Sequence, residues 1–431
     1  MSYHILFSML VIITATASYI NHRFLKLPKT IGLTIVTLLI SILIMVMLNY
    51  SPRFFMPIHT LLSGIDFKDT LLNGMLGYLL FAGALHVNVI DLRRQFLSVA
   101  YLASFGVVIS TILTACALWA VAQILQFPIP ITHCLIFGAL ISPTDPIAVL
   151  AVFKTTKSVP KKIKSRITGE ALFNDAAGIL LFVFLINIFS FHLEDITVTG
   201  VLIEIIHEAI GGIVAGWLLG MIASIFLVKV DDKEVTILIT LGVASAGFIF
   251  SQYIGVSAPI AMVIAGLVVG SQCKKARFSK KTTNTVNDFW GLVEEVLNAF
   301  LFVLIGLEML TIEFPTILIF IGIFAIIIVF IARYISVTIP IISKINASNR
   351  RFYFKENILM SWGGIRGGIS IALALSIPGQ NETIISITYV VVIISILLQG
   401  STFKWAVNYL FPCNQATLPL TQTPKPIPKK S

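Results

Sequence analysis

Charge is what this sequence has least of. Only 12% of its 431 residues are Asp, Glu, Lys or Arg, while 57% are hydrophobic. A soluble domain carries about 25% charged residues, so a water-soluble globule is excluded. Cysteine is nearly as scarce. The four cysteines, at 116, 134, 273 and 413, show no CxxC or metal-ligand spacing and say little about function. Also missing are the paired His/Glu motif of zinc hydrolases and the nucleophile elbow of serine hydrolases. Long polar loops are absent too. The largest, 273–287 and 344–356, are the size of linkers, so no soluble catalytic or regulatory module is expected. The amino terminus lacks the basic flank of a signal peptide, and Thr14 and Thr16 interrupt its apolar run. It reads as a retained membrane span, despite a loose cleavage-like Ala15-Thr16-Ala17.

What the sequence has in quantity is apolar runs. A bilayer crossing needs about 20 residues, and thirteen such segments can be placed, at 4–20, 30–50, 70–90, 98–125, 131–152, 167–189, 198–228, 233–251, 256–272, 288–310, 315–343, 357–377 and 384–412. They are numbered 1 to 13 below. The connections after odd-numbered segments, with the tail, hold 25 of the 30 Lys and Arg, whereas those after even-numbered segments hold only Arg53 and Lys68. Cytoplasmic loops carry the excess of basic residues. The expectation is therefore an all-α polytopic membrane protein with thirteen transmembrane helices, its N-terminus outside and its C-terminus in the cytoplasm. The formal net charge of +10 then reflects cytoplasmic loops, not nucleic-acid binding. Residues 413–431, rich in Pro, Thr and Lys, read as a short disordered cytoplasmic tail after a membrane domain over 1–412.

Against this apolar background the intramembrane polar residues stand out. Segment 5 carries Ser142-Pro143-Thr144-Asp145-Pro146, and proline on both sides of Asp145 is incompatible with an unbroken helix. Segment 6 carries Glu170, Asn174 and Asp175, the first two one turn apart on one face. A charge at the bilayer centre costs about 2.5–3.5 kcal/mol on insertion scales, so such residues mark ion or proton paths. A lone carboxylate in a water-accessible cavity holds either a proton or a cation, and that exclusion suffices for exchange. Asp175 is assigned this role, with the neutral Asn174 able to support either state. In segment 12, Arg366 lies among Gly363, Gly364, Gly367 and Gly368, a second interrupted helix. An arginine stays charged in a protein, and Glu170 is its expected partner. Glu294 and Glu295 near the inner end of segment 10, the group Glu204, His207 and Glu208 in the outer part of segment 7, and Arg333 in segment 11 are interfacial charges or portal residues, with the interfacial reading favoured. His133 reads as an interfacial histidine ahead of a pH sensor. Gly211, Gly212, Gly216 and Gly220 of segment 7 read as a helix-packing surface. Broken segments 5 and 12 run in opposite directions, which points to two inverted six-helix repeats, segments 1–6 and 8–13, with segment 7 left over.

The stretches Ser142–Val149, Gly169–Asp175 and Gly363–Gly368 resemble the signature segments of the monovalent cation:proton antiporters, NhaP/NHE branch. Weaker matches are Leu79–His86, Asn298–Phe302 with Ile305–Glu308, and Leu398–Thr402. The resemblance implies a bacterial-type homodimer in the inner membrane. It implies a core of about 98–189 and 315–412 that moves as an elevator against a dimerisation part of about 1–90 and 233–310, linked by the helix 198–228. It implies that Asp175 binds Na+ with Thr144 as an oxygen donor and that Glu170 and Arg366 form a structural ion pair, while Asp145 is read as part of the ion site from its own place between two prolines at membrane depth. An Asn-Asp pair is associated with electroneutral 1:1 exchange of Na+ (or Li+) for H+. Two positions depart from the family pattern. Ala171 replaces a frequent serine, and Ala82 replaces a frequent acidic residue of the cytoplasmic funnel. Both bear on ion preference, so a K+/H+ exchanger stands as the alternative. A membrane-embedded enzyme and a channel are disfavoured by the missing catalytic motifs and by the opposed broken helices. No cofactor is expected, and the partners are the cation, H+ and lipid.

Overall fold

The computed structural model describes residues 3–156, 158–190, 198–275, 278–342, 350–379 and 381–412. Every regular element among them is helical. In hydrocarbon each backbone N–H and C=O needs a partner within the protein, and an α-helix supplies these within one segment. Nine helices among the described residues are long and apolar enough to cross a membrane. Several apolar segments map onto one helix each, such as Lys29–Tyr50 for segment 2, Lys161–Ser190 for segment 6 and Thr316–Ile342 for segment 11. Segment 9 forms the shorter helix Ala258–Lys274. The tail at 413–431 lies outside the described residues. The helix Pro52–Leu62 has no apolar segment behind it; it lies between segments 2 and 3 and carries exposed Phe54 and Met56 and a buried Leu62.

Segments 5 and 12 are broken as their prolines and glycines require. Segment 5 divides into Ile131–Ile141 and Ile147–Thr155, and segment 12 into Arg350–Trp362 and Gly368–Ala374. The non-helical pieces meet. Asp145 N donates to Ile365 O at 2.7 Å, so each interrupted helix supplies a partner that the other lacks. This approach depends on a missing side chain, since a Cβ on Gly367 would lie 2.7 Å from Cβ of Asp145. Segment 13 runs as Glu382–Ile394, a wider π-helical turn Ser395–Gly400, and Ser401–Leu410. That turn directs Ser395 Oγ to accept from Arg366 N at 2.9 Å. Local π geometry at a functional position is common in helical proteins.

Packing divides the helices into two groups. Segment 4 lies along segments 5 and 11, and segment 11 along segment 13. Segment 9 packs between segments 3 and 7, and segment 10 against segment 2. The glycines of segment 7 let its helix approach segment 9, and a Cβ on Gly216 would stand 2.2 Å from Ala261 O. Without a hydrophobic driving force between helices in lipid, such small-residue contact is a main source of association.

Candidate functional site

The site is assembled where the broken stretch of segment 5 faces segment 6. Asn174 Nδ2 donates to Thr144 Oγ1 at 2.7 Å, and both residues are buried. The next residue round the helix, Asp175, is 8% exposed and lines a cavity of about 90 Å³. Asp145 lines the same cavity and is anchored through Oδ1, which accepts from Ile147 N at 2.8 Å. Among the described residues, no hydrogen bond reaches the carboxylate of Asp175. A single water needs about 10–15 Å³ of such space, so the cavity has room for a partly hydrated monovalent cation. Thr144 and Asn174 are not on its wall. They sit behind it, with Asn174 Oδ1 buried and without a protein partner.

The expected pairing of Glu170 with Arg366 is corrected by the structure. Glu170, almost fully buried, forms its ion pair with Arg333 of segment 11. Arg366 turns to the broken stretch instead, donating from Nη1 to Ser142 O at 2.6 Å and to Pro143 O at 3.0 Å. The physical reason lies in segment 5. In a continuous helix those carbonyls would accept from residues 146 and 147, but proline has no N–H, and Ile147 N is taken by Asp145. Two strong acceptors are left inside the protein, and the guanidinium fork satisfies both. Glu170 is thereby available to Arg333, the other deep arginine.

Sequence reading missed a second buried pair. Arg166, counted among the cytoplasmic basic residues, bonds Glu356 of segment 12, and its Nη2 donates to Gln95 Oε1 at 3.0 Å. Arg166 and Glu356 are both buried. A depth count would have found Arg333, which lies about as far from the nearer end of segment 11 as Arg366 does in segment 12. No comparable signal marked Arg166, which stands at the edge of a loop. The other polar candidates divide. Glu204 and His207 are exposed, Glu208 is half-buried, and His133 contacts Asn381 Nδ2 at 3.1 Å. Glu295 pairs with Lys29 at 2.7 Å on an exposed face, but Glu294 lines the cavity. Ala171 also lines the cavity, whereas Ala82 is fully buried away from it.

Two broken helices crossing inside a helical membrane protein, beside an unpaired carboxylate that faces a cavity, define a secondary ion transporter. Comparison with known proteins gives the family. The model of the family described as "Sodium/hydrogen exchanger, transmembrane" matches residues 10–409, and the chain belongs to that family. Over 394 residues it is 37% identical to the Na+/H+ antiporter NhaP of Pseudomonas aeruginosa, covering 90% of this chain and 92% of that protein. It is 30% identical to the Na+/H+ antiporter NhaH of Halobacillus dabanensis, covering 89% of this chain and 92% of the relative. These relatives are transporters, not enzymes. The structure of the sodium proton antiporter MjNhaP1 from Methanocaldococcus jannaschii shares the fold, with a TM-score of 0.71 at 21% identity over 96% of this chain and 100% of that one.

Proposed function

We propose that this protein exchanges Na+ (or Li+) for H+ across the bacterial inner membrane, with Asp175 binding one or the other. The observation that carries the reading is the carboxylate itself, which is buried within an apolar membrane-length helix, faces a cavity and has no hydrogen-bond partner among the described residues. Its nearest neighbour in the chain, Asn174, adds no charge, so one carboxylate serves both ions and the exchange is electroneutral, 1:1. The cation ligands are Asp175 with Thr144 and Asp145. Thr144 and Asn174 lie behind the wall, so a rotation of the Thr144–Asn174 pair brings the hydroxyl oxygen forward when the cation arrives.

The cavity lies between the two packing groups. Asp145, Asp175 and Gly367 line it from segments 5, 6 and 12, and Leu80, Glu294 and Asn298 from segments 3 and 10. That placement supports an elevator, in which segments 4–6 and 11–13 carry the site past a scaffold that includes segments 1–3 and 8–10. The inverted repeats, thirteen crossings, cytoplasmic C-terminus and homodimer belong to the same reading, supported by the loop charges and the family resemblance.

The test uses purified protein in liposomes, with a pH gradient collapsed by added Na+, Li+ or K+. Exchange driven by Na+ or Li+ is expected, and Asp175→Asn abolishes it while leaving a folded protein. Dissipation by K+ alone would move the assignment to K+/H+ exchange. Wild-type-like exchange in Asp175→Asn would move it to Asp145.

A further inference from the structure

The cavity has a second polar pole, away from Asp175. Glu294 and Asn298 stand one turn apart on the helix Lys280–Leu307, and both line the wall. Asn298 is 8% exposed, and its Oδ1 is buried without a hydrogen-bond partner. An amide oxygen left unpaired in a protein interior loses roughly 1–3 kcal/mol of solvation, unless a water or an ion completes it. The Glu294 side chain is 25% exposed and lies 3.5 Å from His86 Nδ1, a nitrogen that is also 2.9 Å from Ala82 O. This histidine is an ionic partner of Glu294 only when its imidazole is protonated, whereas the adjacent Glu295 pairs with the permanently charged Lys29. One carboxylate and one unsatisfied amide oxygen on the same helical face are hard oxygen donors suited to an alkali cation. They lie in the scaffold group, across the cavity from Asp145 and Asp175.

We propose that Glu294 and Asn298 form a waiting site for the monovalent cation, which holds it at the cytoplasmic mouth of the cavity before it passes to Asp175. Ala82 is buried away from the cavity, so an acid at position 82 would need a different local packing, whereas position 294 already faces the path. Because the site belongs to the scaffold, it meets the cation only when Asp175 is on the cytoplasmic side. It therefore sets apparent affinity on one face of the membrane. The proposal rests on the exchange reading, and wild-type exchange in the same vesicles is the control that tests that reading separately.

The experiment measures exchange in orientation-sorted proteoliposomes, with Na+ presented to either face. Glu294→Gln is expected to raise the apparent KM for Na+ at the cytoplasmic face about tenfold, the factor that 1.4 kcal/mol of lost binding produces. Maximal rate and the KM at the opposite face should hold. Asn298→Ala should raise the same KM less, Glu294→Asp should restore most of the loss, and Glu295→Gln, which removes a neighbouring charge on another face, should leave it unchanged. An unchanged KM in Glu294→Gln overturns the proposal. So does an equal rise at both faces, or a rise of the same size in Glu295→Gln, because each outcome reports general charge or packing and not a site.

Discussion

Two carboxylates five residues apart on one helix have opposite fates. Glu170 is enclosed, bound to Arg333, and near a second enclosed pair, Arg166 with Glu356. Asp175, little more than a turn further along, faces a cavity and has no such partner. Chemistry and helix are the same, and the difference is made by what other segments bring to each level. A paired buried charge is held in one protonation state and ties helices together. An unpaired one that faces a cavity is, in the proposed exchange, free to hold either a proton or a cation. Segment 6 therefore carries a paired carboxylate at one level and a cavity-facing one at the next.

The comparison breaks most visibly if the lower level is cut. Glu170→Ala or Arg333→Ala should destabilise the protein by about 3–5 kcal/mol, because removing one partner leaves the other charge buried alone. In a double-mutant cycle read by chemical unfolding, Glu170 with Arg333 should couple strongly and Glu170 with Arg366 weakly. Equal coupling of Glu170 to both arginines would show that the charge is shared. An intermediate effect is expected at the crossing. Gly367→Ala places a methyl group 2.7 Å from Cβ of Asp145, and overpacking of this kind costs about 1–3 kcal/mol. Asp145 would be displaced, so the transport rate should fall more than stability does, a split that vesicle flux and thermal melting resolve. The smallest effect belongs to Thr144→Val. It removes the acceptor of the Asn174 amide, worth about 1 kcal/mol as a neutral hydrogen bond. Apparent KM for Na+ should rise if the hydroxyl is a ligand, and only the melting temperature should fall if it merely holds Asn174.

Much of this contrast was legible in the chain itself. Pro143 and Pro146 announce a broken helix because proline lacks a donor, and the glycines around Arg366 announce another. The alternation of basic loops orders the segments without any contact information. Pairing was a different matter. Glu170 and Arg366 are the two deep charges with conspicuous motifs around them, while Arg333 stands among plain apolar residues of segment 11 and reads as interfacial. The carbonyls of Ser142 and Pro143, which claim Arg366, have no side-chain signature and become acceptors only once the helix is broken. Arg166 was hidden for the opposite reason, as one of several basic residues in a stretch read as a loop. Helix breaks follow from single residues and are written locally. Partner choice depends on the three-dimensional meeting of segments far apart in sequence.

The central claim is that one carboxylate holds either ion, and proton release tests it most directly. When Na+ is added to purified protein in weak buffer, at a pH where Asp175 is largely protonated, cation binding should expel the proton it replaces. By linkage, the apparent affinity for Na+ should weaken as pH falls, since each ion raises the apparent dissociation constant of the other. The account predicts close to one proton released per Na+ bound, with both binding and release lost in Asp175→Asn. Na+ binding with no proton release across the pH range, or full release in Asp175→Asn, would contradict it.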